Sequence, residues 1–226
     1  MTRKLLIVLV ALLGTTAFAG RYEQSERLPA DEELLMRPAA MTGTPELSAE
    51  TAFMIAMDRA GAVGGQAILH GCEKPPKKVV PYRGNTLRDV LNSIIAADPN
   101  YVWRMDNGVV ALLPAKGVPD LLKVRISSFD SGDAWSLATA GIYLFALPEV
   151  RQRARELGFS QAISGSGLGS IVPGQHPARK VLDIHLQNLT LLEALNALVR
   201  STKRGQWIYD ETDCGAEKNF QVQFPE

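Results

Sequence analysis

The sequence predicts an α+β protein of two related modules, in which small mixed sheets of short strands are covered by amphipathic helices. The first observation behind this prediction is an internal repeat. Residues 77–95 recur without a gap as residues 181–199, and Trp103 then falls on Trp207. The second is the pattern that the copies share: an alternating strand-like stretch, a helical stripe and two further strand-like runs. Each copy is therefore expected to fold in the same way.

The N-terminus has the features of a secretory signal peptide, which we assign to residues 1–19. Arg3 and Lys4 precede an apolar run over residues 5–13, and Ala17-Phe18-Ala19 supplies the small-residue cleavage pattern. The run is well short of the ~20 residues with which a helix crosses a bilayer. We expect cleavage after Ala19, a periplasmic or secreted location, and membrane contact only during export.

The charge balance disfavours nucleic-acid binding. Lys and Arg together number 24, as do Asp and Glu, and loss of residues 1–19 removes two basic residues and no acidic one. The mature chain therefore carries a formal charge of about −2 and has no excess of positive charge with which to bind phosphates. No nucleic-acid partner is expected.

Two cysteines, Cys72 and Cys214, each follow an apolar strand-like run. In an oxidising compartment an even number of cysteines favours a disulfide, which here would staple the two modules together. By chain entropy alone, closing so long a loop would contribute at most roughly 4 to 5 kcal/mol. Two separate thiols are the alternative, because sequence does not supply the distance between two side chains.

The first module is preceded by residues 20–46, which are polar, are interrupted by proline and glycine, and are typical of a tether. The module begins with a helix that Ser48 caps and Gly61 ends, with apolar residues at helical spacing between them. After Gly64-Gly65, a short strand is predicted at residues 67–69.

The helix of the first repeat copy begins after Thr86, which can act as its N-cap. Asp89 lies three residues on and makes a weakened capping box. The apolar residues that follow fit a helical stripe without a miss: Leu87, Val90, Leu91, Ile94 and Ile95.

A hairpin follows this helix. Its first strand places three large side chains on one face, Tyr101, Trp103 and Met105. Asn107-Gly108 is a strong two-residue turn, after which the chain returns over residues 109–113. The predicted element order over residues 47–114 is α-β-β-α-β-β, and we assign residues 47–115 to the first module.

Residues 121–226 are assigned to a second, divergent module that reuses these parts. Leu182, Ile184 and Leu186 alternate as on a strand, and Thr190 then opens a full capping box for the helix of the second copy. Strands at residues 205–210 and 219–224 close the module through a longer hairpin. Residues 128–178 have no counterpart in the first module and are predicted to form a helical and glycine-rich insertion, with a helix expected over residues 132–145.

One stretch resembles a known family, the secretin and TonB short N-terminal (STN) domain. It reads Gly84-Asn85-Thr86-Leu87-Arg88-Asp89-Val90-Leu91-Asn92-Ser93-Ile94-Ile95, and the aromatic and apolar strands follow it. The family pattern is Gly-x-Thr-Leu-x-(Asp/Glu)-Ala-Leu-x-x-Leu-Leu, so Val90 stands where a small Ala is usual. In the second copy Asn188 and Leu189 replace Gly84 and Asn85, so that its turn must differ. The resemblance covers residues 47–114 well and residues 180–226 in part.

The resemblance implies a function as well as a fold. In that family the domain lies in the periplasm on outer-membrane secretins or signalling receptors and docks to other proteins. By this analogy the chain is expected to be an accessory or adaptor that binds another envelope protein, in a secretin-like or receptor-like assembly.

The sequence offers little support for catalysis. The glycine-rich loop at residues 164–170 lacks both a following helix and a Walker lysine, and its serines do not form a nucleophile elbow. The histidines His70, His176 and His185 lie far apart, with no metal-ligand spacing. We therefore expect no enzymatic activity, no metal and no cofactor.

Two aromatic residues are candidates for binding, Trp103 and Trp207. Paired exposed aromatics can stack on sugars or anchor a partner, but packing of each indole on its own helix is the favoured interpretation. Asn92 and Asn196 recur at one position of both copies, which favours a structural role for them.

Three functional hypotheses follow. The favoured one is a non-enzymatic envelope protein that acts by protein–protein contact, through strand addition at an exposed sheet edge or docking on a sheet face. The alternative is a periplasmic protein that binds a small ligand or glycan in a cleft between the modules, on Trp103 or Trp207. A hydrolase that uses the glycine-rich loop is the third.

Overall fold

A computed structural model describes residues 31–41, 46–73, 78–160, 182–215 and 217–225, and it confirms the α+β class. The helices are α1 (Asp31–Leu35), α2 (Ala49–Ala60), α3 (Leu87–Ala97), α4 (Leu137–Phe145), α5 (Pro148–Glu156) and α6 (Leu191–Arg200). The strands are β1 (Glu46–Ser48), β2 (Val63–Gly71), β3 (Val79–Pro81), β4 (Tyr101–Asp106), β5 (Val109–Pro114), β6 (Arg125–Asp130), β7 (His185–Thr190), β8 (Gln206–Asp213) and β9 (Lys218–Gln223). The predicted signal peptide, residues 20–30 and 42–45 of the tether, and the glycine-rich loop lie outside the described residues. Residues 31–41, which were assigned to the tether, instead contain α1 and pack against the first module through Leu34, Leu35 and Ala39.

The two modules share one five-stranded mixed sheet with the strand order β4-β5-β2-β8-β9. Its three inner strands are parallel, and each outer strand pairs with its neighbour as an antiparallel hairpin. Strand β2 of the first module lies between β5 and β8, and so it joins the modules edge to edge. Two smaller antiparallel pairs, β1 with β3 and β6 with β7, precede the repeat helices.

The modules use opposite faces of this sheet. Alternate residues of β5 point to the two sides: Val110 and Leu112 pack with helices α1, α2 and α3, whereas Ala111 and Leu113 pack with α4, α5 and α6. The corresponding strands β4 and β8 also run in opposite directions, because β4 is antiparallel to β5 and β8 is parallel to β2. One module is therefore related to the other by a half-turn about an axis that lies in the sheet and runs across the strands, together with a shift of three strand positions along that axis.

The repeat helices form as their caps predict. Thr86 and Thr190 each accept a hydrogen bond from the N3 backbone N–H, while Asp89 and Glu193 each accept one from the backbone N–H of the cap residue, so both capping boxes are complete. Ser48 accepts from the backbone N–H of Thr51 at 3.3 Å. These bonds satisfy N–H groups that a helix leaves unpaired in its first turn.

Strand β2 differs from the prediction of a short strand at residues 67–69. It begins at Val63, so that Gly64 and Gly65 lie inside it. A Cβ at Gly64 would meet the Val110 carbonyl oxygen at 2.3 Å, and one at Gly65 would meet the Trp207 indole at 2.0 Å. The glycines are thus not a turn before a strand. They let a neighbouring backbone and an indole approach the strand closely.

Two further boundaries differ in the second module. The helix expected over residues 132–145 begins only at Leu137, because Ser136 caps it and a turn at residues 132–133 precedes it. The strand expected at Leu182 begins at His185. In the part of the chain that the structure describes, none of the helices combines the length and apolar character needed to cross a membrane.

Candidate functional site

The repeated tryptophans make the same hydrogen bond. Trp103 Nε1 donates to Asn92 Oδ1 at 3.1 Å, and Trp207 Nε1 donates to Asn196 Oδ1 at 3.0 Å. Each bond ties a strand side chain to the helix of its own module. The asparagines therefore have the structural role that their recurrence favoured.

The surroundings of the two tryptophans differ. Trp207 is fully buried and Asn196 is 5 % exposed, since α6 covers one side of the indole and strand β2 passes along the other. Trp103 is partly exposed, and Asn92 is exposed. Trp207 therefore cannot serve as a binding platform, as the ligand hypothesis allowed, whereas Trp103 remains accessible.

The ligand hypothesis also placed a cleft between the modules. Where they meet, strands β2 and β8 pair over eight residues, from Gly64 with Gln206 to Gly71 with Asp213. This pairing, which we call the β2–β8 joint, leaves no opening between the two strands. At this joint the modules form continuous sheet.

The outer side of β4 presents backbone groups that are unpaired within the part of the chain that the structure describes. Asn107 and Gly108 both have positive φ and form a two-residue turn, so Asp106 and Val109 are a hydrogen-bonded pair. Such pairs alternate along an antiparallel ladder, and the bond from the Ala115 N–H to the Asn100 carbonyl fits the same alternation. The backbone N–H and C=O groups of Trp103 and Met105 therefore point away from β5, and we call this the β4 edge.

The β4 edge ends the sheet within the described residues, where no strand pairs with its outer side. Its repeat counterpart is the side of β8 that carries Trp207 and Tyr209, and that side is paired with β2. The fold thus uses one copy of this edge internally and leaves the other copy open. Edges of this kind are where sheets accept an added strand.

The opposite end of the sheet is less open. Phe159 forms a parallel bridge with Lys218 on the outer side of β9, and the Ser160 N–H donates to the Lys218 carbonyl oxygen at 2.9 Å. The next residues, from Gln161, lie outside the described part of the chain. Part of this edge therefore already has a partner.

A groove of about 450 Å³ lies beside β9. Five apolar side chains and two arginines line this groove: Phe145, Val150, Ala154, Phe159, Phe220, Arg151 and Arg155. The rings of Phe159 and Phe220 meet edge to face at 5.2 Å between centroids. Nothing among the described residues indicates what would fill this groove.

The two cysteines are brought together. The β2–β8 joint ends with Gly71 beside Asp213, and the next residue on each strand is Cys72 and Cys214. Neighbouring strands are roughly 4.8 Å apart, which lies within the Cα separation that a disulfide spans. The hydrogen bond with Cys72, together with desolvation, raises the pKa of the Cys214 thiol to about 11. Both residues are free thiols here.

The described residues contain no group of three or more His, Cys, Asp or Glu side chains that could hold a metal ion. His185 lies between two carboxylates, with Asp130 Oδ2 at 3.0 Å and Asp183 Oδ1 at 2.9 Å, and its side chain is 65 % exposed. These three side chains form a solvent-facing polar cluster. The loop serines and His176 lie outside the described residues, so the prediction that the chain is not an enzyme remains a prediction.

Sequence reasoning did not identify the β4 edge. Two features of the sequence bear on it: each repeat copy ends in a hairpin, and Gly64-Gly65 occurs in the first module without a matching Gly-Gly pair in the second copy. What could not be read was that the glycine strand β2 lies between β5 of the first hairpin and β8 of the second, so that it pairs with neither side of β4. Comparison of the chain with protein-family models, with curated proteins and with solved structures finds no match in any of the three.

Proposed function

We propose that the chain is an exported, non-enzymatic protein of the bacterial envelope that acts by binding other proteins, and that it binds them at the β4 edge. Export is supported by the signal-peptide pattern of residues 1–19. A docking role is supported by the resemblance to STN domains, whose strand–helix–strand units agree with the order from α2 to β5. The partner would be another envelope protein, in a secretin-like or receptor-like assembly.

One observation carries the proposal. The β4 edge has exposed backbone groups and a partly exposed tryptophan, whereas the equivalent edge of β8 is occupied by a strand. An exposed edge next to a large aromatic side chain combines main-chain hydrogen bonds with an anchor for side chains, which is how strand addition achieves affinity and specificity.

The test uses two variants of one residue. Met105→Pro removes the outward N–H of the β4 edge, and Met105→Ala loses the same side chain but keeps that N–H. Proline is tolerated on edge strands, so both variants should fold. With the mature chain as bait on solubilised envelope proteins, we expect a protein that Met105→Ala retains and Met105→Pro loses. If both variants retain the same proteins, the β4 edge is not the binding surface.

Export has a separate readout. The full-length chain, expressed with a C-terminal tag, should appear in the periplasmic fraction. Its mass should be that of a chain whose first residue is Gly20. An uncleaved chain in the cytoplasm would overturn this part of the proposal without bearing on the β4 edge.

A further inference from the structure

We infer that the partner of the β4 edge is an extended segment of another protein that runs parallel to β4 and places a glycine beside Trp103. This inference rests on the proposed function and specifies its partner. It follows from the β2–β8 joint, in which the repeat counterpart of the β4 edge is already bound to such a strand.

The Trp103 and Trp207 rings are oriented by equivalent hydrogen bonds. In the joint, the Trp207 indole lies so close over Gly65 that a Cβ there would meet three of its ring atoms at 2.0 to 2.3 Å. The hydrogen bond from Trp207 Nε1 to Asn196 fixes this orientation. Trp103 makes the same bond to the equivalent Asn92, so its ring extends over the equivalent position beside β4. A strand added at that position can carry no side chain under the ring.

The β2–β8 joint also defines the register expected between β4 and its partner strand. Gly65 stands beside Trp207 and Ala67 beside Tyr209, the counterpart of Met105. The N–H and C=O groups that face β2 in the joint correspond to those of Trp103 and Met105 on the β4 edge. A partner strand in the same register has glycine beside Trp103 and a small residue two positions later, beside Met105. The pattern is glycine, any residue, small residue.

The partner is a different protein and not strand β2 of a second copy. At Gly65 both sides of β2 are already paired, one with Ala111 of β5 and the other with Trp207 of β8. The joint is held by eight residue pairs, so releasing β2 would expose the sheet interior.

The probe is a peptide with the sequence of β2, residues 63–71, Val-Gly-Gly-Gln-Ala-Ile-Leu-His-Gly. We expect it to bind the ¹⁵N-labelled mature chain and to shift the indole N–H signal of Trp103 together with backbone signals of β4. A peptide with Gly65→Val should bind at least about tenfold more weakly, since the valine would collide with the indole. Its matched control is Gly71→Val, because that residue falls beyond the end of β4 in this register. This control peptide should bind within about twofold of the original.

The protein variants provide an independent arm. The Met105→Ala chain should bind the peptide, and the Met105→Pro chain should lose the Trp103 shift. The urea midpoints of the two variants show whether both are folded. The peptide series alone decides the inference if Met105→Pro is unfolded.

Four results would overturn the inference. They are absence of peptide binding, equal binding of the Gly65→Val peptide, dimerisation of the chain through the β4 edge, and binding only after the chain is shortened to begin at Asp31. The last would mean that residues before Asp31 occupy the edge. If the peptide fails but the envelope proteins still distinguish Met105→Pro from Met105→Ala, the proposed function stands and only the glycine register is lost.

Discussion

A glycine at position 65 allows the Trp207 indole to lie flat against strand β2. Because the indole is fully buried and bonded to Asn196, it has little freedom to move aside for an added methyl group. Gly71 lies in the same strand, and a Cβ there would have nothing within 4 Å. Two glycines of one strand therefore differ in what they tolerate.

We expect Gly65→Ala to lower the free energy of unfolding by about 1–3 kcal/mol, or to prevent folding, because it overpacks the joint. Gly71→Ala should change it by less than about 1 kcal/mol. Urea unfolding followed by circular dichroism measures both. Equal effects would mean that the indole does not restrict this position.

The asparagines offer a second comparison between the copies. Asn196→Ala leaves the buried Trp207 N–H without its acceptor and should cost about 1–3 kcal/mol in unfolding free energy. In Asn92→Ala water can replace the lost acceptor of the partly exposed Trp103, so we expect a cost below about 1 kcal/mol. A larger loss for Asn92→Ala would contradict the difference in burial.

Among the elements, the repeat helices were the most predictable. Thr86 and Thr190, with the apolar stripes after them, were sufficient because caps and helical spacing are local properties. Strand β2 was predicted too short because its glycines resemble a turn until the neighbouring Met57 and Trp207 are known. The start of α4 was placed too early because an apolar composition does not reveal which serine caps a helix.

The capping box of α6 should make stability depend on pH. Hydrogen bonds from the backbone and the side chain of Thr190 hold the pKa of Glu193 below its usual value. A carboxyl whose pKa is lower in the folded state contributes stability above its unfolded pKa, and that contribution is lost as the pH falls through the folded value.

We therefore expect Glu193→Gln, which can keep the box but cannot titrate, to lose less stability than the wild type between roughly pH 5 and pH 3. The urea midpoint across that range measures this difference, and at pH 7 both proteins should retain the helix. Identical pH profiles would show that the Glu193 carboxylate is not part of the box in solution.

For the molecule as a whole, the shared sheet is the feature that the sequence did not predict. Pairing of β2 with β8 joins residues more than a hundred positions apart, and neither strand carries a local signal of its partner. For the same reason the sequence could indicate that the candidate site is an exposed sheet edge, but it could not indicate that the edge belongs to β4. The position of Cys72 beside Cys214 likewise emerges only once that register is known.

We predict that Cys72 and Cys214 form a disulfide when the mature chain is oxidised. The oxidised chain should be more stable than the reduced one by up to roughly 5 kcal/mol, because the bond closes a long loop in the unfolded state. Mass spectrometry after alkylation counts the free thiols, and Cys72→Ser should abolish the difference. Two alkylatable thiols after complete oxidation would contradict the prediction.

The half-turn that relates the modules has a consequence for growth of the protein by duplication. In a twofold dimer both copies use the same surface, so no surface is left for a third copy. Here the two modules contribute different strands to the joint, β2 from the first and β8 from the second, so the counterpart of each surface stays available for a further module. A third module fused to the chain could therefore use the existing joint unchanged. Its helices would again lie on the opposite face, so that a longer protein of this type would be a twisted ribbon of strands with helices on alternate faces along its length.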